Sequence, residues 1–139
     1  MESGNDISTT KIVATLVPPA ARLEVLPRHF GRLRSVFEGR VFDWIGWLCP
    51  SYSGGYWDFF ELSNGGFYMA VQGPPIQLRS ENGFEAEMTR EAAGITACLF
   101  ACSHLSFRYD DETLARHYHW LRDFAAEHAE AQLILAAID

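Results

Sequence analysis

Between Tyr52 and Met69 the chain reads YSGGYWDFFELSNGGFYM. Two aromatic runs flank Ser63-Asn64-Gly65-Gly66, and this leaves the backbone few options. Asn-Gly is a strong short-range hairpin signal, because both residues tolerate the positive φ values of a tight turn. Tyr56 to Leu62 and Phe67 to Val71 have strand composition. The spacing therefore predicts an antiparallel aromatic hairpin, led into by the turn Ser53-Gly54-Gly55. Period two places Tyr56, Asp58, Phe60 and Leu62 on one face, and Trp57, Phe59 and Glu61 on the other. Neither face is purely polar, so both should be at least partly covered. Asp58 and Glu61, the two charges of the run, then point to opposite faces, which argues against a shared catalytic cleft.

The flanking segments read mainly as helices. Leu33, Phe37, Val41, Trp44 and Leu48 recur at helical intervals and predict a helix over Phe30 to Leu48, with Cys49-Pro50 as its exit. Gly39 and Gly46 within it would permit close packing. Ala20 to Leu26 gives a turn of helix that Pro27 interrupts. Thr89 is placed to cap a helix running to about His104, with Ala92, Ile95, Leu99 and Cys102 buried and Gly94 allowing close approach to a neighbour. Asp110 or Asp111 caps the last long helix, whose face is Leu114, Tyr118, Leu121 and Ala125. Ala129 to Ile138 continues it or forms a short final helix. Lys11 to Val17 and Ile76 to Arg79 read as further strands, the latter a third strand beside the hairpin. The expected fold is α+β: a small antiparallel sheet containing an aromatic hairpin, packed with about three main helices. The expected organisation is a flexible tail over residues 1–10 and a single domain over residues 11–139.

Charge excludes some functions. Eleven Lys and Arg against eighteen Asp and Glu leave a net charge of -7, which disfavours direct binding to a nucleic-acid backbone. The carboxylates are scattered and often flanked by arginine, so they read as a solvated surface before a decoy of DNA. The polar, acidic N-terminus lacks the features of a secretory signal, and no apolar run is long enough to cross a bilayer, so a cytoplasmic location is expected. Cys49, Cys98 and Cys102 make no disulfide framework, and the pair Cys98 and Cys102 reads as small buried hydrophobes.

No pattern for chemistry stands out. Phosphate-loop and HExxH motifs are absent. His117 and His119 stand two apart, so on a helix they diverge rather than share a metal. Catalytic, cofactor and metal residues are accordingly none. Candidate interaction or structural residues are Tyr56, Trp57, Asp58, Glu61, Ser63, Asn64 and Tyr68. Tyr52 joins Tyr56, Trp57 and Tyr68 as a candidate contact anchor. An enzymatic alternative requires a concave pocket in which Asp58 or Glu61 meets His29, His104 or His117.

The run from Tyr52 to Met69 resembles the signature of the ArdB/KlcA antirestriction family. LPRHFG at Leu26 to Gly31 resembles its upstream block, and EMTREAAGITACLFACSHL at Glu87 to Leu105 resembles its following helix block. The resemblance spans Leu26 to His128. Tyr56, Trp57, Asp58, Phe59, Leu62, Ser63, Asn64, Gly65, Gly66 and Phe67 match the family motif. It implies a mixed helix-sheet domain, carried on plasmids or other mobile elements, that relieves type I DNA restriction without catalysis. The implied partner is the type I restriction complex or a host factor controlling it. Two alternatives stand beside it: an unrecognised small enzyme, and an acidic decoy of a DNA-binding protein.

Overall fold

The computed structural model describes residues 11–139, and the expected flexible tail over residues 1–10 lies outside the described residues. The hairpin forms where the sequence places it. Strands β2 (Trp57–Leu62) and β3 (Phe67–Val71) pair antiparallel, with Phe60 opposite Tyr68 and Phe59 opposite Met69. Strand β1 (Ala14–Leu16) adds antiparallel to the other side of β2, giving the order β1-β2-β3. Its ladder continues past the strand end, where Val17 N–H donates to Phe59 O at 2.8 Å.

The third-strand position expected for Ile76 to Arg79 is therefore taken by β1. Strand β4 (Ile76–Arg79) pairs instead with β5 (Glu85–Met88) in a separate two-stranded sheet. Gly73-Pro74-Pro75 turns the chain away, since neither proline has a backbone donor for the ladder. The sequence EAEM has little strand propensity of its own. It is held by register, with Met88 buried opposite Ile76.

The two expected helical segments divide at Gly31 rather than at Pro27. Helix α1 (Arg22–Phe30) runs through Pro27, and helix α2 (Arg34–Leu48) follows a 3-10 turn over Gly31–Leu33. Gly31 adopts φ 54°, a left-handed value that breaks the helix between Phe30 and Arg34. Pro27 is tolerated because it and Leu23, whose carbonyl loses its helical donor, both lie on the solvent side. Val25, Leu26 and Phe30 hold the opposite face in the core. In α2 the buried stripe is Phe37, Val41, Ile45 and Leu48; Ile45 takes the place expected for Trp44, which is only half-buried. Gly39 and Gly46 meet nothing within 4 Å where a Cβ would stand, so they provide no close packing.

Helix α3 (Arg90–Tyr109) is the hub, packed against α2, α4 (Glu112–Glu127), α5 (Ala131–Ile138) and β3. Thr89 Oγ1 caps it by accepting from Ala92 N–H at 3.1 Å. It ends at Asp110, in the left-handed conformation, and Asp111 then caps α4 by accepting from Leu114 N–H at 2.9 Å. Being enclosed by neighbours, α3 is buried continuously from Ala92 to Leu99. Helix α4 ends at Glu127, so α5 is a separate helix. Ser80 Oγ donates to Ala137 O, and Asn82 Nδ2 donates to Ala136 O and Asp139 O. The β4–β5 turn thereby satisfies carbonyls that a helix end leaves without partners.

Helix α3 also closes the β3 edge of the main sheet. Leu62 N–H donates to Gly66 O and Gln72 N–H to Tyr56 O. That phase makes Phe59–Met69 a non-hydrogen-bonded pair, so the Met69 carbonyl points out of the edge. Cys98 Sγ donates to it at 3.7 Å. Burial pushes the Cys98 thiol up to about 12, so it stays a neutral donor. An exposed edge would invite pairing with other chains, and a helix laid along it removes that template.

Candidate functional site

The candidate residues of the motif divide by what they touch. Tyr68 is fully buried; its ring stacks on Phe60, with centroids 4.7 Å apart, and its hydroxyl donates to Glu91 Oε2 at 2.8 Å. Trp57 is buried, edge-on to Phe42, and its Nε1 donates to Tyr52 Oη at 3.1 Å. Ser63 joins β2 to β1, its Oγ accepting from Val13 N–H at 2.8 Å. Asn64 Oδ1 accepts from Gly66 N–H and its Nδ2 donates to Trp120 O, both at 3.0 Å. The turn is thereby docked onto α4. Gly65 needs its φ of 106°, and a Cβ on Gly66 would stand 2.9 Å from Trp120 Cβ. Asn64→Ala removes both hydrogen bonds, and we expect it to cost about 1–2 kcal/mol in urea unfolding. An unchanged midpoint would mean the turn is held by its backbone alone.

Asp58 and Glu61 diverge as strand alternation requires. Asp58 Oδ2 accepts from Gln72 Nε2 at 2.9 Å beside a depression of ≈280 Å³ shared with Arg90 and Glu91. On the other face, Glu61 Oε2 lies 2.6 Å from both Arg28 Nη2 and His29 Nε2. A carboxylate only accepts, so His29 carries its hydrogen on Nε2. Desolvation pushes the Glu61 carboxyl up. The hydrogen bonds from Arg28 and His29, and then their charges, outweigh it and hold the group below the ordinary glutamate value.

Behind His29 stands His117, 2% exposed, with ring centroids 5.1 Å apart. His117 takes the core position of α4 expected for Tyr118, one residue earlier on a neighbouring stripe. Phe30 and Trp120 wall it in at 4.5 and 5.1 Å, and its Nδ1 has no hydrogen-bond partner. Burial first, then the proximity of His29, pushes its pKa down to about 4, only partly offset by the His29 backbone. His119 is exposed, so the two histidines diverge as their spacing requires.

A second acid–imidazole set lies on the Tyr68 face. Glu91 Oε1 is 2.8 Å from His128 Nε2, and His128 Nδ1 accepts from Glu130 N–H at 3.0 Å. The hydrogen bond from His128 lowers the Glu91 carboxyl despite its burial, and the same bond raises His128. The Glu130 N–H opposes that rise by occupying Nδ1 in its neutral, accepting form. Glu61 thus does meet His29, with His117 behind that ring rather than on the carboxylate. The imidazoles are packed among aromatic rings, however, and the carboxylate is already taken by two donors. Among the described residues no group of three or more His, Cys, Asp or Glu is arranged to hold a metal. Sequence reasoning offered His29 and His117 only as conditional partners and missed Arg28, Glu91 and His128, because their contacts join segments far apart in the chain.

Of the candidate anchors, Tyr56 is the one left open, at 53% exposure. Arg22 lies over its ring at 5.1 Å and over Phe59 at 4.2 Å. A second open region, a groove of ≈500 Å³, lies between α3 and α4, away from the motif, with Phe107, Asp110 and His119 among its lining.

The family described as antirestriction protein matches residues 50–139. This chain belongs to the antirestriction family. An antirestriction protein KlcA from Escherichia coli is 49% identical, over 92% of this chain and 94% of its own length. An uncharacterized protein of Escherichia coli K12, YafX, is 37% identical over 93% of this chain and 89% of its own. A solved structure of the KlcA and ArdB proteins aligns with TM-score 0.88 and 42% identity, covering 94% of this chain and 99% of that one. Those proteins are described as having a novel fold and antirestriction activity against type I DNA restriction systems in vivo but not in vitro. The antirestriction match begins at residue 50, yet the upstream block is joined to it in space through Arg28, His29 and Glu61.

Proposed function

We propose that this protein relieves type I DNA restriction in the cell through contact with another protein, without catalytic turnover, in the cytoplasm of a bacterium receiving mobile DNA. The observation that carries this reading is its likeness, at 42% identity and TM-score 0.88, to proteins with that activity in vivo. Activity in vivo but not in vitro is the behaviour of a protein that needs a cellular component. That favours a host factor controlling the restriction complex, or an assembly of the complex found only in cells, as the partner. The absence of turnover is supported by the motif's polar groups, which are spent on one another: Tyr68 and His128 on Glu91, Arg28 and His29 on Glu61, Asn64 on the turn. A net charge of -7 keeps nucleic acid an unfavoured direct partner. No helix among the described residues is long and apolar enough to cross a membrane.

The test is plating of unmodified phage, and transfer of an unmodified plasmid, in restricting cells that express the protein, with affinity recovery from the same cells. Protection is expected, and normal restriction in expressing cells would overturn the reading. Recovery of the intact restriction complex marks direct action, and protection without it marks the host-factor route. Asp58→Asn should leave melting unchanged. Glu61→Gln should cost about 1 kcal/mol, limited by the carboxylate's partial exposure, and both variants should still protect. Loss of protection in a variant with unchanged melting would make that carboxylate a contact rather than a strut.

A further inference from the structure

Positive charge in this acidic chain is segregated. Between residues 22 and 40 stand five of the eleven basic residues, Arg22, Arg28, Arg32, Arg34 and Arg40, against Glu24 and Glu38. With Asp43 counted, α1, α2 and the turn joining them carry a local charge of +2, and Arg28 among them is already paired with Glu61. Between the two helices and β2 runs a groove of ≈320 Å³ whose lining includes Arg22, Leu23, Arg34, Glu38 and Phe59. Leu23 is 92% exposed at its edge. Among the described residues neither Arg22 nor Arg34 forms an ion pair with a carboxylate. Arg22 is held over Phe59, with Tyr56 beside it, so its fork is positioned by rings rather than by a carboxylate among the described residues. An arginine and a tyrosine around an apolar side chain is the composition in which binding energy concentrates at protein interfaces.

We propose that the α1–α2 groove is the docking surface for an acidic segment of a partner protein. A bulky apolar side chain of that segment lodges against Leu23, and its carboxylates meet Arg22 and Arg34. Charge complementarity selects the occupant: the face is basic while the chain as a whole repels acidic partners, so only a segment aligned with this face gains. Glu38 inside the groove disfavours a run of phosphates and leaves room for a mixed-charge peptide. The assignment to antirestriction rests on the protein-contact reading above, whereas the groove's preference for acidic peptide does not.

The test is selection of a phage-displayed library of random peptides on the full chain, followed by titration of the selected peptides as synthetic probes. Acidic sequences with a large apolar residue are expected, with affinity that falls as salt rises. Arg34→Glu and Leu23→Asp both change exposed side chains, and each is expected to weaken binding about tenfold or more at unchanged melting temperature. Selection of neutral or basic peptides, or acidic peptides indifferent to both variants, overturns the proposal. So does duplex DNA binding, or a dimer of this chain, that the same variants abolish. In restricting cells the two variants are expected to lose protection. Variants that lose peptide yet protect fully separate the groove from antirestriction and leave the protein-contact reading intact. A wild type that binds peptide without protecting overturns that reading and keeps the groove.

Discussion

Gly94→Ala should lower the melting temperature by roughly 7 °C, because one methyl group has no place to go. A Cβ at Gly94 would stand 2.5 Å from Met69 O and 2.8 Å from both Cα and Cβ of Ala70. Two of those three atoms are backbone, on the strand edge that α3 covers, and cannot rotate away. The helix would have to lift from β3 and stretch the hydrogen bond from Cys98 to Met69. Overpacking of this kind costs about 3 kcal/mol where the surroundings are rigid, well above the roughly 1 kcal/mol that alanine gains over glycine within a helix. Gly39→Ala isolates the second effect, since nothing lies within 4 Å of a Cβ there. It should leave melting unchanged or raise it slightly. Equal behaviour of the two variants in thermal unfolding followed by circular dichroism would refute the close approach of α3 to the sheet edge.

The contrast between these glycines marks how far sequence carries. The hairpin was legible because its turn residues, strand composition and alternation all agree, and β3 falls on the residues expected. The capping positions of α3 and α4 were legible too, since Thr89 and Asp111 stand directly before long helical patterns. Local pattern failed wherever the deciding atom lies in a distant segment. Gly39, Gly46 and Gly94 look alike on a helix, and only the strand lying against Gly94 distinguishes it. EAEM becomes strand β5 because Ile76 and Leu78 offer it a partner. Pro27 reads as a breaker yet sits within α1 on the solvent side.

The same limit applies to the site. Asp58 and Glu61 were placed on opposite faces by period two, and they are. Their partners were only partly legible: His29 was one of three histidines open to either carboxylate and Arg28 was not among them, both more than thirty residues from Glu61, and Glu91 is 23 from Tyr68. The three blocks that carry the family resemblance meet here. The upstream block supplies Arg28 and His29 to one face of the hairpin, and the helix block supplies Glu91 to the other. The aromatic run is thus a scaffold clamped from both sides. Its exposed residue Tyr56 lies beside Arg22, where the scaffold borders the basic groove.

His117 makes the protein acid-labile above the range in which carboxylates titrate. Its pKa in the folded protein is about 4, against an ordinary value of 6.5. Between those values the unfolded chain binds a proton that the folded chain refuses, so stability rises with pH and falls as pH drops from about 6.5 toward 4. The full depression corresponds to about 3 kcal/mol, of which about 2 kcal/mol is lost by pH 5. Glu61 and Glu91 act in the same direction but later, since lowered carboxyls lose their stabilisation only as pH falls through and below the ordinary glutamate range. His128, raised by Glu91, has the opposite sign: its contribution is present in acid and fades as pH rises through its folded value. Urea unfolding at pH 7 and pH 5 therefore reads His117 against a smaller opposing term from His128. His117→Leu keeps comparable bulk between Phe30 and Trp120 and removes the unpartnered Nδ1, so it should be at least as stable as wild type at pH 7. The variant should also lose most of the fall between pH 7 and pH 5. If it weakens in acid as much as wild type does, the proton taken up on unfolding belongs to another group.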